Sequence, residues 1–220
     1  MKPILYVGNQ NYSSWSMRPW LVLTWGDIDF ETRVVQLGGE GYGSNRTAAV
    51  LAISPAGTVP ALHLGEDVIG DSLAIAEWAA EQTPALWPAD PLARAHARSA
   101  TCEMHSSFSA LRHALPCNVR RRAEPRQLSE EVQRDIERLE AIWAPLLARF
   151  SGDGPYLFGR EPGIVDAFFT PVATRFRTYG VRVGEGSQRY LDALLQNPSF
   201  RNWERAGEAE TWTIPSTDAC

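Results

Sequence analysis

Pro60 constrains this chain more than any other residue. It interrupts residues 59–64, whose composition otherwise suits a strand, within the run Ser54-Pro55-Ala56-Gly57-Thr58-Val59-Pro60-Ala61-Leu62. Proline removes a ladder N–H and is confined to strand starts, edges and bulges. A cis Val59–Pro60 bond is one way to place it, although only ~5–6% of X–Pro bonds are cis. The Val59 N–H and C=O then stay unpaired and suit an extended peptide docked strand to strand. An edge proline with no ligand fits the same residues, so both readings stand open.

The surrounding pattern supplies a domain for this segment. Residues 4–8 are a short apolar run, and residues 32–37 have strand composition. Residues 17–25 have helical spacing, and 44–53 suit a short helix. Residues 59–64 and 68–69 flank a Gly65-Glu66-Asp67 turn, and 72–82 form an Ala-rich helix. The order is βαβαββα. Pro84, Pro88, Asp90 and Pro91 then break regularity. Beyond them only helical periodicity appears. Met104, Phe108, Leu111 and Leu115 are read as one helix face, and Val132 to Leu146 as another. Ser129 opens that second helix, and Gly180 closes a third over 164–179. Shorter helices follow near 187–196 and 198–207. The expected fold is α/β followed by all-α, with domains 1–82 and 93–220 and a linker at 83–92.

Two more local features carry chemistry. Asp71-Ser72 directly precedes the 72–82 helix. Orphan N–H groups and the dipole at that terminus favour an anion, such as a ligand carboxylate. Asp71 would meet an adjacent ammonium. Plain N-capping is the commoner reason for these residue types. The other feature is Asn11-Tyr12-Ser13-Ser14-Trp15-Ser16-Met17-Arg18-Pro19. Pro19 fits best in a first turn, so Ser16 is the expected N-cap and Ser13 and Ser14 lie just ahead of the helix. A serine hydroxyl there donates to a thiolate and lowers a thiol pKa from ~8.5. A hydroxyl-rich turn that satisfies its own backbone is the competing reading.

Together, in this order and spacing, these residues resemble the glutathione transferase superfamily. The resemblance rests on the Ser54–Leu62 run, on Asp71-Ser72, and on Ser13-Ser14-Trp15-Ser16 followed by Arg18, which is similar to the Ser-type and zeta-class pattern. Gly163-Ile164-Val165-Asp166 resembles the capping box of the family's C-terminal domain, with Gly where Ser or Thr is usual. The resemblance implies a thioredoxin-like N-terminal domain and an all-helical C-terminal one. It implies glutathione as co-substrate, bound by Thr58, Val59, Pro60, Asp71 and Ser72. Ser13 is the expected catalytic serine, with Ser14 in support.

Trp15 stands where the zeta pattern has cysteine, and Arg18-Pro19-Trp20 replaces Arg-Val-Arg. The first expectation is therefore a transferase adding glutathione to a small electrophile, not the zeta isomerisation. A glutathione-dependent isomerase, lyase or dehalogenase, or a non-catalytic binding module, is the alternative. The second substrate is expected against Met104, His105, Phe108 and Arg112. A homodimer is implied by the resemblance alone.

Other classes are disfavoured. The formal charge is −5, a poor match to phosphate backbones, so no nucleic-acid partner is expected. No apolar run reaches the ~18 residues of a membrane span, and no secretory h-region is seen, so a cytoplasmic place is expected. Cys102, Cys117 and Cys220 match no metal spacing, and residues 1–82 contain no cysteine for a mixed disulfide. His63, His96, His105 and His113 form no HxH or HExxH pattern, so no metal is expected. His63 is read as structural, Trp203 and Trp212 as packing residues, and Arg120-Arg121-Arg122 as a solvated charge run.

Overall fold

The computed structural model describes residues 2–38 and 47–220. Most of the glycine-rich loop at 38–43 lies outside them. Strand β1 (Ile4–Gly8) buries Leu5 and Val7 and runs parallel to β2 (Glu31–Val35). Strands β3 (Ala61–Leu64) and β4 (Asp67–Gly70) are antiparallel, giving the sheet order β2-β1-β3-β4. The Val59–Pro60 bond is cis, and β3 begins just after it, so Pro60 removes no ladder hydrogen bond.

Helices α1 (Ser14–Trp25) and α3 (Ser72–Gln82) pack together, and the four-residue α2 (Ala48–Leu51) connects the strand pairs. This is a thioredoxin-like unit. An all-helical unit follows, and it starts early. Asp90 caps α4 (Pro91–Ser106), with Pro91 at the first turn where a missing N–H is harmless. The remaining helices are α5 (Ser109–Ala114), α6 (Glu130–Phe150), α7 (Ile164–Tyr179), α8 (Glu185–Gln196), α9 (Pro198–Ala209) and α10 (Pro215–Asp218). In α7 every residue except Arg177 is buried. A helix enclosed on all sides is the core of its domain. It packs against α1, α4 and α8 and so joins the two units.

Three local expectations are corrected. Ser13, not Ser16, is the N-cap of α1, because its Oγ accepts the Ser16 N–H at 3.3 Å. Pro19 therefore lies inside the helix. The face of Met104, Phe108 and Leu111 is not one helix. Phe108 adopts φ +65°, a left-handed conformation that ends α4 and starts α5. Of the three arginines at 120–122, Arg122 is exposed as expected, but Arg120 and Arg121 are not freely solvated. Arg120 donates to the Trp212 carbonyl at 3.0 Å and to the Glu210 carbonyl, and Arg121 to the Asp218 carbonyl at 2.6 Å.

Candidate functional site

A cavity of about 400 Å³ opens beside the first turns of α1 and α3, within the ~300–1,000 Å³ range of small-molecule sites. Its wall brings together Ser13, Ser14 and Trp15 from α1, Thr58, Val59 and Pro60 from the loop before β3, and Asp71 and Ser72 from α3. These three stretches are dispersed in sequence. They meet because α1 follows β1 directly while β3 and β4 return beside β1 and lead into α3.

Each stretch carries polar groups that have no described partner. The Val59 N–H and C=O bond to no described residue. The Ser72 side chain is buried, and its Oγ has no described partner. Asp71 caps α3 by accepting the Leu73 N–H at 2.7 Å. It does so at φ +71°, a strained conformation for a non-glycine residue, worth ~1–3 kcal/mol. Its other oxygen stands 3.4 Å from His105 Nε2.

The two serines are not equivalent. The Ser13 hydroxyl accepts the Ser16 N–H and donates to Ser16 Oγ at 2.8 Å, and Ser16 Oγ accepts the Gly8 N–H at 3.0 Å. Ser13 is thus committed to holding the β1–α1 corner. Ser14 Oγ accepts one hydrogen bond, from Arg175 Nη2 at 3.1 Å, and its own proton bonds to no described residue. The loop ahead of them is fixed from the C-terminal half. The Gln10 and Asn11 N–H groups donate to the Glu210 carboxylate at 2.7 and 3.1 Å, and Trp203 Nε1 donates to the Gln10 carbonyl at 2.9 Å. Asn11 Oδ1 accepts the Arg120 N–H at 3.0 Å.

Of the four residues expected at the second substrate, two lie at this edge and two do not. Met104 and Phe108 are buried in the hydrophobic core. The break between α4 and α5 turns Phe108 inward. His105 meets the Trp15 ring edge-on at 5.3 Å between centroids, and the Arg112 guanidinium lies 4.9 Å from the Trp15 centroid. Burial pushes the His105 pKa down, with Arg18 and Arg112 adding to that and Asp71 opposing it. Burial, and then Arg175, lower Arg112 to about 10.

Sequence reasoning missed the residue with the most unusual environment. Arg18 is fully buried between Trp15, at 4.2 Å, and Phe168, at 4.8 Å. None of its three guanidinium nitrogens has a described partner. Burial lowers its pKa well below the ordinary value, and Arg112 and Arg175 lower it further. Asp71 acts on it in the opposite sense without hydrogen-bonding to it. The signal was visible as Arg18 in the 14–25 helix, but its partners required the tertiary structure. Elsewhere His63 Nε2 bonds the Ile53 carbonyl at 2.7 Å, and Trp203 is fully buried. Among the described residues no cluster of three or more His, Cys, Asp or Glu is arranged for a metal. No described helix is long and apolar enough to cross a membrane.

A thioredoxin-like sheet, a helical partner domain and a serine-lined cavity at two helix N-termini define a two-domain protein built around a small-ligand site. Residues 12–82 match the family model for the glutathione S-transferase N-terminal domain, and 129–206 match that for the C-terminal domain. A zeta-class glutathione S-transferase of Euphorbia esula is 33% identical over 208 residues, covering 91% of this chain and 90% of its own. The maleylacetoacetate isomerase of Pseudomonas aeruginosa is 29% identical over 212 residues, covering 94% and 98%. A Burkholderia glutathione transferase homologue solved with bound glutathione superposes with a TM-score of 0.71 at 25% identity, covering 96% and 100%. The chain belongs to the glutathione S-transferase superfamily.

Proposed function

We propose that this chain binds glutathione and uses it to isomerise a small cis-enone that carries a carboxylate. The first expectation from sequence was conjugation. The isomerase name of the Pseudomonas relative and the zeta-class name of the Euphorbia relative favour the alternative.

The fit to glutathione is supported by open polar groups at matching ends of the cavity. The Val59 N–H and C=O would pair with the cysteinyl backbone, strand to strand. The Ser72 hydroxyl and the first N–H groups of α3 would hold the γ-glutamyl carboxylate. Asp71 would face the neighbouring ammonium while continuing to cap Leu73, with Thr58 and Pro60 closing the wall. When bound, glutathione supplies a thiolate whose reversible addition to an enone carbon lets the former double bond rotate. Ser14 has the only hydroxyl of the Ser13–Ser14 pair with an unengaged proton, so it takes the role of donor to the sulfur. Ser13, first expected there, holds the corner and is supportive. No general base is needed, because preorganised donors stabilise the anion.

The observation that carries the substrate class is Arg18. Its unpartnered guanidinium is fully buried beneath Trp15, behind the cavity wall, with Arg112 against the same indole and Arg175 behind Ser14. A substrate carboxylate near these groups relieves their mutual repulsion. Trp15, in the position of the zeta cysteine, offers a flat face to a conjugated substrate. The same reading assigns 1–82 to glutathione, 83–92 to a linker and 93–220 to the electrophile, in a cytoplasmic homodimer.

The test is a substrate panel of carboxylated cis-enones, haloacids and aryl halides, each with and without glutathione. The expected result is cis-to-trans conversion that requires glutathione and does not consume it. Stoichiometric conjugates, with no isomerisation, would return the assignment to a conjugating transferase.

A further inference from the structure

Arg175 sits on α7, far from the glutathione-binding stretches in sequence, yet its guanidinium reaches the first residue of α1. Nη2 donates to Ser14 Oγ at 3.1 Å, Nε to the Leu115 carbonyl at 2.8 Å, and Nη1 to the Pro171 carbonyl at 3.3 Å. The side chain is almost completely buried. No carboxylate among the described residues forms an ion pair with it. Ser14 is therefore its only side-chain hydrogen-bond partner among the described residues. Two backbone carbonyls fix the guanidinium plane, and the third direction is left for the serine.

We propose that Arg175 is a positioning residue that makes the Ser14 hydroxyl an obligate hydrogen-bond donor toward the cavity. A hydroxyl has one proton and two acceptor lone pairs. Arginine carries only donors, so Ser14 oxygen meets it as an acceptor and its single proton is directed elsewhere. Ser14 lines the cavity, and its proton has no described acceptor. A charge-assisted hydrogen bond is roughly twice as strong as a neutral one, and bonds in sequence polarise one another. The cation thereby strengthens the serine as a donor without approaching the sulfur itself. Its uncompensated charge in a poorly solvated place also favours an anion on the far side of Ser14.

The helical domain thus contributes to the thiol-activating step, which otherwise belongs wholly to the thioredoxin-like unit. Burial lowers the Arg175 pKa from its ordinary range, and the buried Cys117 opposes that. An arginine tolerates such burial where a lysine readily loses its proton, so lysine is not an equivalent substitute here.

This inference rests on the reading of Ser14 as donor to a glutathione thiolate. The test is an ultraviolet titration of the thiolate of enzyme-bound glutathione, with dissociation constants measured in parallel. The proteins are wild type, Arg175→Met, Arg175→Lys, Ser14→Ala and the Ser14→Ala/Arg175→Met double variant. The expected result is a wild-type midpoint below the ~8.5 of a free thiol, raised by about one pH unit in Arg175→Met. Arg175→Lys should be intermediate. The double variant should show no more shift than Ser14→Ala alone, because residues acting through one another are not additive. A merely structural arginine would lower the melting temperature and leave the midpoint unmoved. If Arg175→Met does not fold, Arg175→Lys carries the test, and an unmoved midpoint in it overturns the proposal. A lowered wild-type midpoint that Arg175→Met does not change overturns this inference alone. Failure of the wild type to bind glutathione overturns the underlying reading and this inference with it.

Discussion

Asp166 and Arg18 are both fully buried ionisable residues near the N-terminal ends of helices, and their surroundings are opposite. Asp166, in the first turn of α7, accepts from the Gly163 N–H at 2.9 Å, the Leu157 N–H at 3.3 Å and the Tyr190 hydroxyl at 3.0 Å. Gly163 has no side-chain oxygen, so Asp166 makes only its own half of a capping box. A β-carbon at Gly163 would lie 2.8 Å from the Leu86 carbonyl oxygen, which explains glycine where Ser or Thr is usual. Arg18, beside the cavity, has no described partner for any nitrogen. The first arrangement is that of a group that holds the fold. The second is the arrangement on which the proposed recognition of a carboxylate rests. Buried polar groups left unsatisfied are rare in native proteins and mark places where function outweighs stability.

The largest effect should follow removal of the satisfied group. Asp166→Ala strands two N–H groups and the Tyr190 hydroxyl at ~1–3 kcal/mol each, so denaturant melts should show a loss of about 4 kcal/mol. Little or no loss would erase the contrast.

The second effect concerns pH. Burial raises Asp166 from 3.8 to about 6 despite its three donors. Between those values the native state keeps a proton that the unfolded chain releases. Its contribution is therefore fully present below pH ~4 and is lost as pH rises through about 6. Compared with Asp166→Asn, the wild type should lose up to about 3 kcal/mol of stability between pH 4 and 7. A constant difference between the two melts would contradict this.

Arg18→Met tests the other side. Replacing a buried, unpaired cation by an apolar side chain of similar length should leave the melting temperature unchanged or raised. Turnover of a carboxylated enone should fall ~10–100-fold, whereas its methyl ester should be little affected. A destabilised variant, or equal loss on both substrates, would place Arg18 with Asp166 as a structural group. Smaller still, Ser72→Ala should weaken glutathione about tenfold with no cost in stability, because the hydroxyl satisfies no described group in the protein. Calorimetric titration beside a thermal melt would show it.

This contrast explains what the sequence made legible. Helix α3 was readable to the residue, because Asp71-Ser72 and an apolar face are local signals. The ends of α7, at Gly163 and Gly180, were equally local. The start of α1 was not. A preference for placing Pro19 early competed with Ser13 as cap, and the tertiary fold chose the cap. The break at Phe108 was invisible, since Met104, Phe108 and Leu111 continue a helical spacing across it. Arg120 and Arg121 looked solvated because the C-terminal carbonyls they hold are ~90–100 residues away. At the site, Val59, Asp71, Ser72 and both serines could be named from motifs. The difference between Ser13 and Ser14 could not, because the Ser13–Ser16 bond and the Arg175 contact to Ser14 exist only in the fold.

The central claim is that Ser14, not Ser13, stabilises the thiolate of bound glutathione. Its most direct measurement is the thiolate titration of bound glutathione in wild type, Ser13→Ala and Ser14→Ala, with folding verified for each. The account predicts a wild-type midpoint below ~8.5, a rise of about one unit in Ser14→Ala, and a smaller rise in Ser13→Ala accompanied by the ~1 kcal/mol stability loss of a missing cap. A midpoint that moves with Ser13 and ignores Ser14 would contradict it.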